Sequence, residues 1–141
     1  MTKEFDIKPF EIKVQKLERI FVDKLFAAEL YFEKKMYMDL SKHLYDLTIL
    51  FKTIRIQEFL NNKKEFEKIV EYKREEEIYR KGGVDKNIQI KDFGYFNTEY
   101  NENILKAFKL MQDKYIFKDE YRITIDEVKN ILKEIYNRMC K

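Results

Sequence analysis

A lysine, a histidine and two aspartates carry the chemistry that this sequence offers. In SKHLYDLTILFK (41–52), His43 and Asp46 stand three apart, and Asp39 precedes His43 by four. A helical pitch brings all three to a common side. Just upstream, FVDKLFAAELYF (21–32) sets Lys24 within a run of apolar residues. Its compact ammonium can lean into a cleft as a point charge for phosphate. Equally, its methylenes can cover apolar surface while the charge reaches water. His43 is the only histidine. It can act as a general base, or simply be a packed or surface residue, since no nucleophile accompanies it. One His beside two Asp on one helix is weak geometry for Mg²⁺, so no metal site is predicted.

The elements that must position these groups are helices. Leu17, Ile20, Phe21, Leu25, Ala28 and Phe32 recur at three and four, the stripe of a core-facing helix, and Lys24 falls inside it. A second helix is expected from about Leu40 to Lys52, with Leu44, Leu47, Leu50 and Phe51 inward and Ile54 as a less certain member. A third is expected over 63–80, capped by Asn62 with Glu65 three residues on and lined by Phe66, Ile69, Val70 and Ile78. Gly82 and Gly83 suit its end. Two more follow, over 101–115 (Ile104, Phe108, Met111, Tyr115) and after Thr124, where Glu127 completes a capping pattern ahead of Val128, Ile131, Leu132, Ile135 and Met139. Two stretches read otherwise. In FDIKPFEIKV (5–14), Pro9 removes a ladder donor, which favours an edge strand or extended lead-in. Residues 84–98 are irregular, with a strand available at Ile88 and Ile90 and an aromatic loop in DFGYFN. The expectation is a mainly α, single helical domain over 1–141 with four to six helices, with room for a short N-terminal edge strand or small hairpin.

Composition narrows the function classes. With 29 Lys and Arg against 26 Asp and Glu, interspersed, the +3 charge argues for solubility and only weakly for nucleic acid. The charge run EYKREEEIYRK (71–81) reads as a solvated helical face. The single cysteine, Cys140, allows no internal disulfide. Without a signal-like or membrane-spanning apolar run, the expected location is cytoplasmic. A glycine-rich phosphate loop, HExxH, CxxC, a nucleophile elbow and an Asp-x-Asp pair are all absent from the sequence.

LERIFVDKLFAAELYF (17–32), KHLYDLTIL (42–50) and AFKLMQDKYIFKDEYRITIDEVKNILKEI (107–135) resemble, in that order, the C-terminal half of the AbiEii/AbiGii toxin family of nucleotidyltransferases. The nineteen-residue step from Lys24 to His43 adds to the likeness. The resemblance implies a polymerase β-like, metal-dependent transfer of a nucleotidyl group from an NTP, in some members to tRNA, by toxins paired with antitoxins. It places Lys24 as the phosphate-contacting, substrate-binding lysine. Asp46 falls at the second aspartate of a DxxD motif near the acceptor, and His43 where the first would stand; these two are the catalytic candidates. The family's Gly-Ser loop and Asp-x-Asp metal pair have no counterpart here. The expectation is therefore a C-terminal helical part, inactive in isolation, or else a non-catalytic protein-interaction or assembly module. Mg²⁺ and NTP are implied only for a complete family enzyme, with none in the isolated chain. The expected partners are an N-terminal catalytic half, an antitoxin protein or a second copy, with RNA weakly supported and no membrane.

Overall fold

Pro9 opens the first helix rather than interrupting a strand. The computed structural model describes residues 9–79 and 83–140, with side chains from Leu17 onward. Its helix α1 spans Pro9–Glu33. At the first helical position the missing N–H of proline costs nothing and its fixed φ is already helical, so the reading of 9–14 as extended is corrected. The remainder of that expected lead-in lies outside the described residues.

Six more α-helices follow among the described residues: α2 (Tyr37–Phe51), α3 (Ile54–Asn61), α4 (Lys63–Ile78), the single turn α5 (Gly94–Asn97), α6 (Glu102–Tyr115) and α7 (Ile125–Cys140). Seven helices exceed the expected four to six, and no strand occurs among the described residues. The mainly helical class holds. No described helix is long and apolar enough to cross a membrane.

The turn between α1 and α2 is three residues long. Lys35 adopts φ 59°, Met36 N–H donates to Tyr31 O at 2.9 Å and Lys35 N–H to Phe32 O at 3.1 Å. This pair of bonds closes a helix through a left-handed residue, here without the usual glycine. The chain doubles back, and α2 packs along α1 and also against α6 and α7. Its inner face buries Leu40, Leu44, Leu47 and Phe51, and Ser41 and Thr48 join them. Those two hydroxyls are tolerated because each donates to the carbonyl one turn back, Tyr37 O at 2.7 Å and Leu44 O at 2.9 Å. Phe21, Leu25 and Ala28 of α1, Phe108 of α6 and Val128 and Ile135 of α7 complete the core.

The break after α2 carries neither Gly nor Pro. Thr53 leaves the helix in an extended conformation and its hydroxyl accepts from Ile56 N–H, starting α3 at once. Ile54 is exposed on α3, not an inward member of α2. The expected caps at Asn62 and Thr124 accept the N–H three residues on, from Glu65 and Glu127, and Asn101, read as the start of the helix itself, caps α6 in the same way through Ile104 N–H. Helix α4 ends at Ile78, which is exposed rather than in its apolar line, and Gly82 lies outside the described residues. Ile88 and Ile90 form no strand. Ile90 begins a 3₁₀ turn (Ile90–Asp92), and the Ile88 carbonyl accepts from the Arg74 guanidinium instead of from a neighbouring strand. The aromatic DFGYFN segment, expected as a loop, contains the turn α5, and its Phe93 and Tyr95 are fully buried where α5 docks on α1.

Candidate functional site

Lys24 lies ten residues before Lys34 at the turn, and Asp46 lies ten residues after Met36. In a helical hairpin such equidistant positions face each other. Lys24 Nζ and Asp46 Oδ2 are 2.8 Å apart, with both side chains partly open to solvent. One face of α1 carries Lys24, Ala28 and Tyr31, at i, i+4 and i+7. Ala28 is fully buried between the other two. Tyr31 lies flat against the His43 ring, centroids 5.4 Å apart and 7° from parallel. The structure thus brings Lys24, His43 and Asp46 together at one point on the α1–α2 seam. Asp39 stands one turn further along and contributes its charge to the same imidazole.

Burial is the main influence on His43, and it disfavours the imidazolium. The Lys24 ammonium pushes the same way, while Asp46 and Asp39 oppose it, and the net pKa is lowered from 6.5. The ring is therefore neutral at pH 7, and its Nδ1 is buried without a hydrogen-bond partner. A neutral, half-buried imidazole keeps a lone pair that can accept a proton. Among the described residues Lys24 is paired with one carboxylate, and the pair is partly open to solvent. Solvent weakens a pair of this kind, so an incoming phosphate can compete with Asp46 for the ammonium. Among the described residues no group of three or more His, Cys, Asp or Glu could hold a metal ion.

Three buried ionisable groups were missed by sequence reading. Glu29 is 4% exposed. Its carboxylate accepts Tyr95 N–H at 3.4 Å. Burial pushes its pKa up to about 7 and Glu33 adds to the shift, while the N–H groups of Gly94 and Tyr95 oppose it. The signal was available: Glu29 follows Leu25 by four and so falls on the buried stripe, as Lys24 does. The second is Lys73, in the run read as a solvated face. It is 5% exposed, its ammonium 3.4 Å from Asp23 Oδ1 and 5.8 Å from the Phe26 ring centroid. Glu77, one turn on, is buried as well. The run is amphipathic through its long side chains, whose stems pack on α1, a pattern that residue charge alone conceals.

Residues 1–133 match a family model described as nucleotidyl transferase AbiEii toxin, type IV TA system. No curated protein and no solved structure matches the chain. The match covers nearly all of the 141 residues, which overturns the expectation that the likeness is to the family's C-terminal half alone. With it falls the assignment of a helical remnant inactive in isolation, or of a non-catalytic assembly module. The short motifs around Lys24 and Asp46 fix an order of residues, but not where in the family's length they fall.

Proposed function

Because the chain belongs to the AbiEii family of nucleotidyl transferase toxins, we propose that its α1–α2 seam binds the phosphates of a nucleoside triphosphate and activates the acceptor for nucleotidyl transfer. The carrying observation is the 2.8 Å Lys24–Asp46 pair with neutral His43 beside it. Lys24 exchanges its carboxylate partner for a phosphate oxygen. That exchange removes the cation's depressing effect on His43 and leaves Asp46, which raises its basicity, in place. Substrate binding therefore makes His43 a better base. The acceptor hydroxyl gives its proton to the imidazole as its oxygen attacks the α-phosphorus, and the bond to pyrophosphate breaks with the electron pair leaving on pyrophosphate. Asp46 stabilises the resulting imidazolium.

Mg²⁺, which the family implies, finds no fitting donor set among the described residues. An antitoxin partner belongs to the same reading, supported by the family's toxin–antitoxin description; an RNA acceptor and a cytoplasmic location are further parts of the proposal. Calorimetric titration with each NTP tests it. Binding to the wild type is expected to weaken at least tenfold in Lys24→Ala, about the worth of one charge-assisted contact. Equal affinity in the two proteins would remove Lys24 from the substrate site. Transfer of radiolabelled NTP to RNA, expected to fail in His43→Ala, tests the proton acceptor separately.

A further inference from the structure

Away from the charged seam, a cavity of about 600 Å³ opens between α7, α5 and the segment that follows α5. That volume lies within the range of small-ligand sites. Lys129, Lys133 and Tyr136 reach it from α7, at i, i+4 and i+7 and hence on one face. From the other side come Phe96 and Tyr100. Tyr95 forms the floor; its hydroxyl is already committed to Leu25 O at 2.7 Å. Phe96 stacks on Tyr95 with centroids 4.5 Å apart and leans on Tyr136 at 6.2 Å, so Phe96 and Tyr136 present half-exposed ring surface to the cavity.

The charges are unequal. Two lysines line the space against one carboxylate, Glu99. Among the described residues neither lysine forms an ion pair; Lys129 rests over the Tyr100 ring at 5.7 Å. Unpaired ammonium groups beside open aromatic faces make a surface for an anion attached to a flat ring. Asn97 adds a hydrogen-bonding group at the edge. Its amide nitrogen is used by Lys91 O and Phe93 O, which leaves its carbonyl oxygen for a donor.

We propose that this cavity is a binding site for a nucleobase and its adjacent phosphate, with the base stacked on Phe96 and Tyr136 and the phosphate held by Lys129 and Lys133. Every base has a π-face, so such a site tolerates sequence. The Asn97 carbonyl favours bases with an exocyclic amino group. The inference stands on different residues from the Lys24 site and does not rest on that reading.

Fluorescence anisotropy with a short labelled oligoadenylate RNA tests one source of the ligand, and calorimetry with ATP the other. Tyr136→Leu keeps apolar contact with Phe96 but removes the stacking ring, and a roughly five- to hundredfold loss of affinity is expected. Lys129→Ala with Lys133→Ala alters exposed side chains, so folding is retained. This variant is expected to lower the salt dependence of strand binding by about 0.7 in the log–log slope, one phosphate's worth. The ATP titrations are made in the Lys24→Ala background, where the other proposed nucleotide site is weakened, so that the heat reports this cavity. Strand binding sensitive to these variants assigns the site to an RNA chain; ATP binding alone with the same sensitivity assigns it to free nucleotide. Binding of neither, or binding indifferent to Tyr136→Leu and equalled by inorganic polyphosphate, overturns the proposal.

Discussion

The carboxylate of Glu29 on α1 accepts the backbone N–H of Tyr95 on α5, 66 residues further along the chain. An acid so placed is a fold contact and a proton store together. Its pKa rises from 4.5 to about 7, chiefly through burial. Below pH 4.5 the folded and unfolded states are both protonated and the contribution to stability is complete. Between 4.5 and 7 the unfolded chain gives up the proton that the folded one keeps, so stability falls as pH rises. Above 7 the loss, on the order of 2–3 kcal/mol, is constant. Glu29→Gln is expected to flatten that slope. Urea denaturation at several pH values checks it, and an unchanged slope would show that Glu29 does not hold the proton.

Gly94 sits where α5 meets α1, and a methyl there would lie 2.5 Å from Phe32 Cε2. Gly94→Ala must push the Phe32 ring aside and is expected to cost about 1–3 kcal/mol. Adding Phe32→Leu is expected to recover part of the loss. A double-mutant cycle showing strict additivity would locate the strain elsewhere.

His43 is the only histidine, so its ring protons titrate in a clear window of the NMR spectrum. Lys24 depresses its pKa and Asp46 raises it. Lys24→Ala is therefore expected to move the titration upward, and Asp46→Asn downward. Shifts of the opposite sign would mean that the three groups do not share one electrostatic site in solution.

Gln112 closes the link between α6 and α7. Its amide donates to Ile123 O and accepts Ile123 N–H, both at 2.8 Å. Gln112→Leu keeps the volume and removes both bonds, with an expected loss of about 2–3 kcal/mol. Thermal unfolding reads it, and hydrogen exchange at the Ile123 amide should accelerate with it.

What the sequence disclosed followed from how local each cause was. The caps at Asn62 and Thr124 act within three residues and were legible. So was the proximity of Lys24 to Asp46 and His43, because Lys24 broke an apolar stripe whose partner helix came next. Thr53 starts a helix with no glycine or proline before it, so α3 had no punctuation to mark it. Glu29 and Lys73 are buried by partners on distant segments, Tyr95 and Phe26 among them. Pro9 has two permitted settings, strand edge and first helical turn, and only the continuing helix decides between them.

The three-residue turn at 34–36 gives the seam an arithmetic character. Lys24 finds Asp46 because equal lengths of helix run back from the bend on either side, so the meeting is stored as a count of residues rather than as an identity. Replacing Lys35 leaves that count intact. Inserting one residue within α2 ahead of His43 would swing every later position by about 100°, carrying Asp46 out of reach of Lys24 and the imidazole off Tyr31. Lineages that vary freely in the letters of this turn, yet never in the length between positions 24 and 46, would bear the mark of such a gauge.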